Sequence, residues 1–494
     1  MKIRLENSFN HSDMKNSLGT SPSKSPLMKI VIRSFLVVAM LSIFSSCKKF
    51  LDIDSPNDVN SDNVITSGDG LISARIGMYN SLQNDAYYGG YFPLMIDAYS
   101  DNGAAGGYDS PQLNQFNDKS LGADNIYIDN FWVAAYNAVY TANQILSNVD
   151  AIEDPTLSDE VRSDVKGEAL TVRAMAHFDL LRTFGEHWDL NSNLGIPLVL
   201  DATDPLQARG RNTVQECYDA ILADLNNASD LVSNDDVEVG DGTKTPAYIT
   251  QYFVNGLLAR VYLYLQDYEN AAAKAEEVIN DDIFIVANNP ALIYTTKLSS
   301  ESIFELQFNV QDQSQYNNLT YVRGDALRVD VSFLANENLN EFFLSRPGDV
   351  RAASVDFDPE HNDGSIQPDG RTEKYRGEET KDNSAYIMRI SEMYLIAAEA
   401  KGVSGGGVDD LNTLRQNRGL GDLFPEDFDT PEAFMNTVQD ERRAELNFEG
   451  HRYFDLARLG KVSEIVGEDV LPVFPIPVNQ ITASGGAIEQ YPGY

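Results

Sequence analysis

The chain has 494 residues, 75 acidic against 37 basic, for a formal charge of -38, and 43% of its residues are hydrophobic. That length is ample for a large core, and by itself would allow two or three domains; the hydrophobic share is that of an ordinary globular protein. So acidic a surface repels nucleic acid and anionic lipid headgroups, which excludes both as direct partners.

The first patterned stretch is Met28–Cys47, MKIVIRSFLVVAMLSIFSSC. Lys29 and Arg33 make a charged leader, and Phe35–Phe44 is an apolar run too short to span a bilayer. Small residues, Ser45 and Ser46, then precede Cys47. This order predicts a bacterial lipoprotein signal: residues 1–46 form the signal region, translation starts at Met28, and Cys47 is the lipidated first residue of the mature chain. Membrane contact is expected through that anchor only. The remaining cysteine, Cys217, has no internal disulfide partner and reads as a buried small hydrophobe.

Residues 47–494 are read as one domain with a loop-rich insertion over about 281–386. Gly70–Leu82 carries Leu71, Ala74, Met78 and Leu82 on one helical face. Tyr87–Phe116 is rich in Gly, Asn and aromatic residues, keeps no period, and is expected to be loop. Helices are predicted over Ile128–Val149, Glu160–Phe184 and Val214–Val232. Ala247–Leu265 and Tyr268–Asn280 form a helical hairpin around Gln266 and Asp267. In it Leu258, Ala259, Tyr262, Ala271, Ala275 and Val278 sit where a tetratricopeptide repeat places its packing residues. Beyond Asp281, Ser302–Phe308 alternates like a strand, amid Gly, Asn, Asp, Ser and Pro. Tyr386–Lys401 returns to helix, with Val408–Arg418 as its partner. The architecture expected is mostly α: stacked tetratricopeptide-like hairpins and an insertion with a few short strands.

The most informative stretch is QDERRAELNFEGHRYFDLARLGK, residues 439–461. A helix there puts Phe434, Val438, Glu441 and Glu445 on one stripe, so two carboxylates share an apolar face. Such carboxylates must be paired. Arg442, Arg443, Arg452 and Arg458 are the candidate partners at hand, which predicts an ion-pair network through Glu441, Arg442, Glu445 and Arg452 at a helix–turn–helix junction broken by Gly450.

Nothing in the chain reads as catalytic machinery. It has no P-loop, GxGxxG or HExxH. His177 lies inside a helix pattern and reads as core. Arginines beside Glu441 and Glu445 lower their pKa, the wrong direction for a general acid. Residues 355–370, VDFDPEHNDGSIQPDG, counted from Asp356 or Asp358, lack the glycine at position six and the glutamate at position twelve of a calcium loop. They read as a solvated acidic loop, so no cofactor is expected, with a looser Ca²⁺ site left open. Two polar loops are richer in suggestion. Tyr87, Tyr88, Tyr91, Tyr99 and Tyr108 lie in one, and Tyr316 and Tyr321 lie in the other among Gln311, Gln313, Gln315, Asn317 and Asn318. Sugars present flat C–H faces ringed by hydroxyls, and aromatic plates beside amides suit them. Tyr87, Tyr88, Tyr91, Tyr99, Tyr316 and Tyr321 are therefore the candidate ligand contacts; the alternative is that they pin their loops. Trp188 is either a further plate or a hydrophobic plug.

ERRAELNFEGHRYFDLARLGK resembles the C-terminal signature of the SusD/RagB-like nutrient-binding lipoproteins of Bacteroidetes-type outer membranes. GEALTVRAMAHFDLLRTFG (167–185), YIMRISEMYLIAAEAK (386–401) and VLPVFPIPVNQI (470–481) resemble further motifs of that family, so the likeness runs over essentially all of residues 47–494. It implies a SusD-like fold. It also implies a non-enzymatic cell-surface protein that captures a nutrient, chiefly an oligosaccharide, and delivers it to a SusC-like TonB-dependent outer-membrane transporter. A peptide-binding member, a non-catalytic envelope scaffold and a surface glycosidase are the alternatives.

Overall fold

The computed structural model describes residues 65–105, 110–202, 209–235, 244–320, 332–358, 369–375 and 380–494. Cys47, the signal region, Tyr108, Tyr321 and most of the acidic loop (359–368) lie outside them. The first helix, α1 (Gly68–Leu82), starts where the Ser67 side chain accepts the Gly70 N–H. The stretch expected to be loop instead holds α2 (Tyr91–Ala98), strand β1 (Gly103–Ala105) and α3 (Pro111–Asn117). The reason is burial on all sides: Phe92, Pro93, Leu94, Met95, Ile96 and Ala98 are all interior, so α2 shows no amphipathic period.

Two long helices follow, α4 (Ile126–Asn148) and α5 (Asp159–Phe184), then α6 (Val214–Ser229) with a capping box between Thr213 and Glu216. The hairpin is α7 (Gln251–Tyr264) and α8 (Tyr268–Ile279), turning at Gln266, whose φ is +58°. Ala259, Ala271 and Ala275 are fully buried between its arms, and their small side chains let the helices approach closely. The insertion then contributes α9 (Ala291–Thr295), β2 (Ser302–Leu306), α10 (Tyr316–Thr320), β3 (Phe333–Ala335), α11 (Glu337–Leu344), β4 (Val355–Asp356) and β5 (Arg371–Thr372).

The predicted helix from Tyr386 is corrected. Ala385–Arg389 is a strand, β6, and the helix α12 (Ile390–Lys401) begins only after it. β6 pairs antiparallel with β2 and is buried on both faces, so period-2 alternation is lost and the sequence reads as one apolar run. β1 pairs with β3 and β4 with β5, also antiparallel. The chain closes with α13 (Gly407–Gln416), α14 (Pro431–Leu446), α15 (Arg452–Arg458), α16 (Val462–Ile465) and α17 (Val478–Ala483).

Packing is serial. α1 lies on α4, α4 on α5, α5 on α6, α6 on α7 and α7 on α8. The next layer against α8 is α12, which then packs on α13 and α14. The insertion thus interrupts the sequence but not the stack. Charged residues inside the stack are paired: Arg75 with Glu168 at 2.7 Å, Arg173 with Asp224 at 2.6 Å, Arg260 with Glu392 at 2.6 Å. Cys217 is buried on α6, and burial pushes its thiol up to about 11. His177 is buried too, accepts the Val199 N–H through Nε2, and is held neutral by burial and by Arg173, with a pKa of about 3. No helix among the described residues is long and apolar enough to cross a membrane.

Candidate functional site

The first polar loop turns sharply between α1 and α2. A Cβ at Gly89 would lie 2.3 Å from the Gln83 carbonyl oxygen, so only glycine lets the chain fold back there. The Gly89 carbonyl accepts the Gln315 N–H at 2.7 Å, and the Tyr88 carbonyl accepts the Tyr316 hydroxyl at 3.0 Å. The two loops singled out in the sequence are therefore in direct contact.

Most of their tyrosines, however, face inward. Tyr87, Tyr88, Tyr99 and Tyr316 are at most 5% exposed. The Tyr87 and Tyr88 hydroxyls both donate to Asp179 Oδ2, at 2.5 and 2.8 Å. Tyr316 stacks on Tyr375 with ring centroids 4.0 Å apart. Tyr99 packs against Phe116, Tyr453 and Phe474. The expectation that these four rings contact a ligand is corrected to a loop-pinning role. For Tyr87 and Tyr88 the reason is Asp179, a buried acceptor that rewards interior phenols and of which the polar loop around them gives no hint.

Tyr91 is different. It is half-buried and pairs with Tyr127 of α4, ring centroids 5.1 Å apart and planes tilted by 32°. Together they line a surface depression of about 490 Å³ with Asn84, Asp85, Asn130, Val133 and Asn137. Asn84, Asn130 and Asn137 are exposed amides, and Val133 is an exposed apolar side chain. Burial and the nearby Asp312 push the Asp85 carboxyl up, against a hydrogen bond from Gln315. Burial, Tyr127 and Asp85 push the Tyr91 phenol up to about 12, so it stays protonated and able to donate. The depression can offer two aromatic plates, three amides and one carboxylate acceptor.

The sequence reading missed Tyr127, Asn130 and Asn137 because their helix reads as core. A signal existed: residues 127, 130, 134 and 137 share one helical face, and that face carries two amides and a phenol. Trp188 is partly exposed and sits edge-on to His187, with centroids 5.0 Å apart. No cluster of three or more potential metal ligands occurs among the described residues.

At the junction, Glu441 and Glu445 are buried and ion-paired, but their partners come from far along the chain. Glu441 accepts from Arg346, Arg351 and Arg415. Glu445 accepts from Arg418 and Arg389, each at 2.9 Å, and from Arg351 at 3.4 Å. Burial raises both carboxyls, yet Arg351 and Arg346 bring Glu441 below its usual range, and Arg418, Arg389 and Arg351 bring Glu445 well below. The nearby arginines expected as partners look elsewhere. Arg442 pairs with Asp455 at 2.9 Å and Arg452 with Asp101 at 2.7 Å. Arg443 reaches Asp101 and Asn102, and Arg458 pairs with Asp455 and Glu399. Gly450, at φ +80°, brings its N–H to Asp97 Oδ2 at 2.9 Å, and a Cβ there would meet Pro93.

This junction lies within the second of two matches to known families. Residues 49–263 match the family described as starch-binding and associating with the outer membrane, and residues 353–472 match the SusD family. The chain belongs to the SusD/RagB-like family. SusD-like protein P2 of Formosa agariphila is 26% identical, over 86% of this chain and 92% of the relative. A SusD superfamily protein from Bacteroides vulgatus is 26% identical over 86% of this chain and 98% of its own, with a TM-score of 0.72. A laminarin-binding SusD-like protein is 20% identical, covers 87% of this chain and 100% of its own, and superposes with a TM-score of 0.73. The SusD-like fold is thus the mostly α stack described above. SusD-like proteins are binding proteins without catalytic activity, and this chain is one of them. The family is associated with the outer membrane.

Proposed function

We propose that this SusD-like protein binds oligosaccharide in the Tyr91–Tyr127 depression and delivers it to a SusC-like TonB-dependent transporter, while Cys47 carries the lipid that anchors it to the outer membrane at the cell surface. The observation that carries the saccharide reading is the pairing of a half-buried tyrosine pair with Asn84, Asn130, Asn137 and Asp85 in one depression. Pyranose C–H faces pack on the rings, and their hydroxyls take the amides and the carboxylate. The starch-binding description of the matched family and the laminarin-binding relative support the same ligand class. Capture and release need no bond to break.

Calorimetric titration with laminarin and malto-oligosaccharides tests the site. Tyr91→Ala and Tyr127→Ala should each weaken binding by about tenfold, the equivalent of about 1.4 kcal/mol. Tyr316→Phe removes only the hydroxyl of a pinning tyrosine and should leave affinity within about twofold of wild type. Equal loss in all three variants would defeat the assignment. Binding of peptides alone would move the ligand class.

A further inference from the structure

We infer that the Tyr91–Tyr127 depression selects uncharged saccharide chains and turns away polyanionic ones, those bearing carboxylates or sulfates; this rests on the saccharide reading above. Its described lining holds two phenols, three amides, Val133, alanines and one carboxylate, and no cation. An anionic sugar is held by guanidinium or ammonium donors, and an unpaired negative group brought beside a carboxylate is repelled. Asp85 is that carboxylate, with a second, Asp312, close enough to raise its proton affinity.

Three cations among the described residues are engaged in contacts of their own. Lys119 donates to the Ala98 and Ser100 carbonyls, at 2.5 and 2.9 Å. Arg182 forks onto Asp179 under Tyr87 and Tyr88. Lys297 pairs with Asp382 at 2.6 Å and donates to the Phe308 carbonyl. The field of the whole chain, with its formal charge of -38, acts in the same direction as Asp85 and repels polyanions before contact. A neutral chain meets none of these penalties, because amides, phenols and one acceptor are what hydroxyls need.

The test compares laminarin and malto-oligosaccharides with the same chains oxidised to carboxylates at their primary hydroxyls, titrated into the full protein. In about 10 mM salt, the neutral chains should bind at least about tenfold tighter. The gap should shrink to about threefold or less in about 0.5 M salt, because screening weakens repulsion between exposed charges. Asp85→Asn should narrow the gap at low salt, whatever it does to affinity for the neutral chain. Equal or tighter binding of the oxidised chains would overturn the inference and leave saccharide binding standing. A gap that salt does not move would also overturn it, since loss of the hydroxyl rather than charge would then be the cause. Binding of neither form of either chain would defeat the saccharide reading and this inference together.

Discussion

Glu445→Gln is the most incisive change to make in this protein. The side chain keeps its shape and loses its charge. Three guanidiniums remain around it, those of Arg351, Arg389 and Arg418, each at most 2% exposed. Part of their charge is still met by Glu441, Asp349, Glu301 and Glu449. The new amide turns an N–H₂ donor toward groups that can only donate. Removing one partner of a buried pair costs about 3–5 kcal/mol, against a total stability of about 5–15 kcal/mol for a folded domain. Equilibrium urea unfolding, followed by the fluorescence of Trp132 and Trp188, should show that loss with an unchanged slope. Lys166→Ala breaks the ion pair between Lys166 and Asp150, which are 32% and 65% exposed, and should cost about 1 kcal/mol or less. The loss should also depend on pH. Glu445 has a folded pKa well below its ordinary 4.5, so its stabilisation is full above that value and fades as pH falls through the folded value. Wild type and variant should therefore converge on acidification. A Glu445→Gln loss of about 1 kcal/mol or less at neutral pH would refute the reasoning.

Asp97 titrates in the opposite sense. Burial raises its carboxyl to about 6 from 3.8, against hydrogen bonds from Asn102 and from the Gly450 and Phe448 N–H groups. The stability it contributes is full below the unfolded value and is lost as pH rises through about 6. Asp97→Asn should therefore gain on wild type between pH 4 and 7, by up to roughly 3 kcal/mol in paired urea melts. Cys217, buried and with its thiol near 11, should resist thiol reagents at pH 8 in the folded protein and react fully once urea unfolds it.

The helical stack was legible because its helices are long, capped and periodic. α5 begins one residue from its predicted start, at a Ser158 cap, and the hairpin's alanines announced close packing. α2 was illegible because burial on every side erased its period. β6 was illegible for the same reason, reinforced by a helix that starts directly after it. At the candidate site, tyrosine content pointed to a loop whose Tyr91 lines the depression. It could not sort outward rings from inward ones, because for Tyr87 and Tyr88 that depends on Asp179, about ninety residues downstream. The buried carboxylates of α14 announced that they needed cations. They did not announce which, since Arg346, Arg351 and Arg389 come from segments without period.

The stitches between the two ends of the chain change how the helical stack should behave as a whole. Helical repeat arrays are close to one-dimensional: each unit leans on its neighbours, and units can be removed from an end. Here Asp97 receives the Gly450 N–H across 353 residues, and Asp101 receives Arg452 across 351. Opposite ends of the line are tied, so the array is a closed circuit. A chain shortened before Gly450 would leave Asp97 and Asp101, on α2 and the turn after it, buried without those partners. Partial products would then be targets for proteolysis rather than smaller working proteins, and unfolding should proceed as one event instead of peeling from an end.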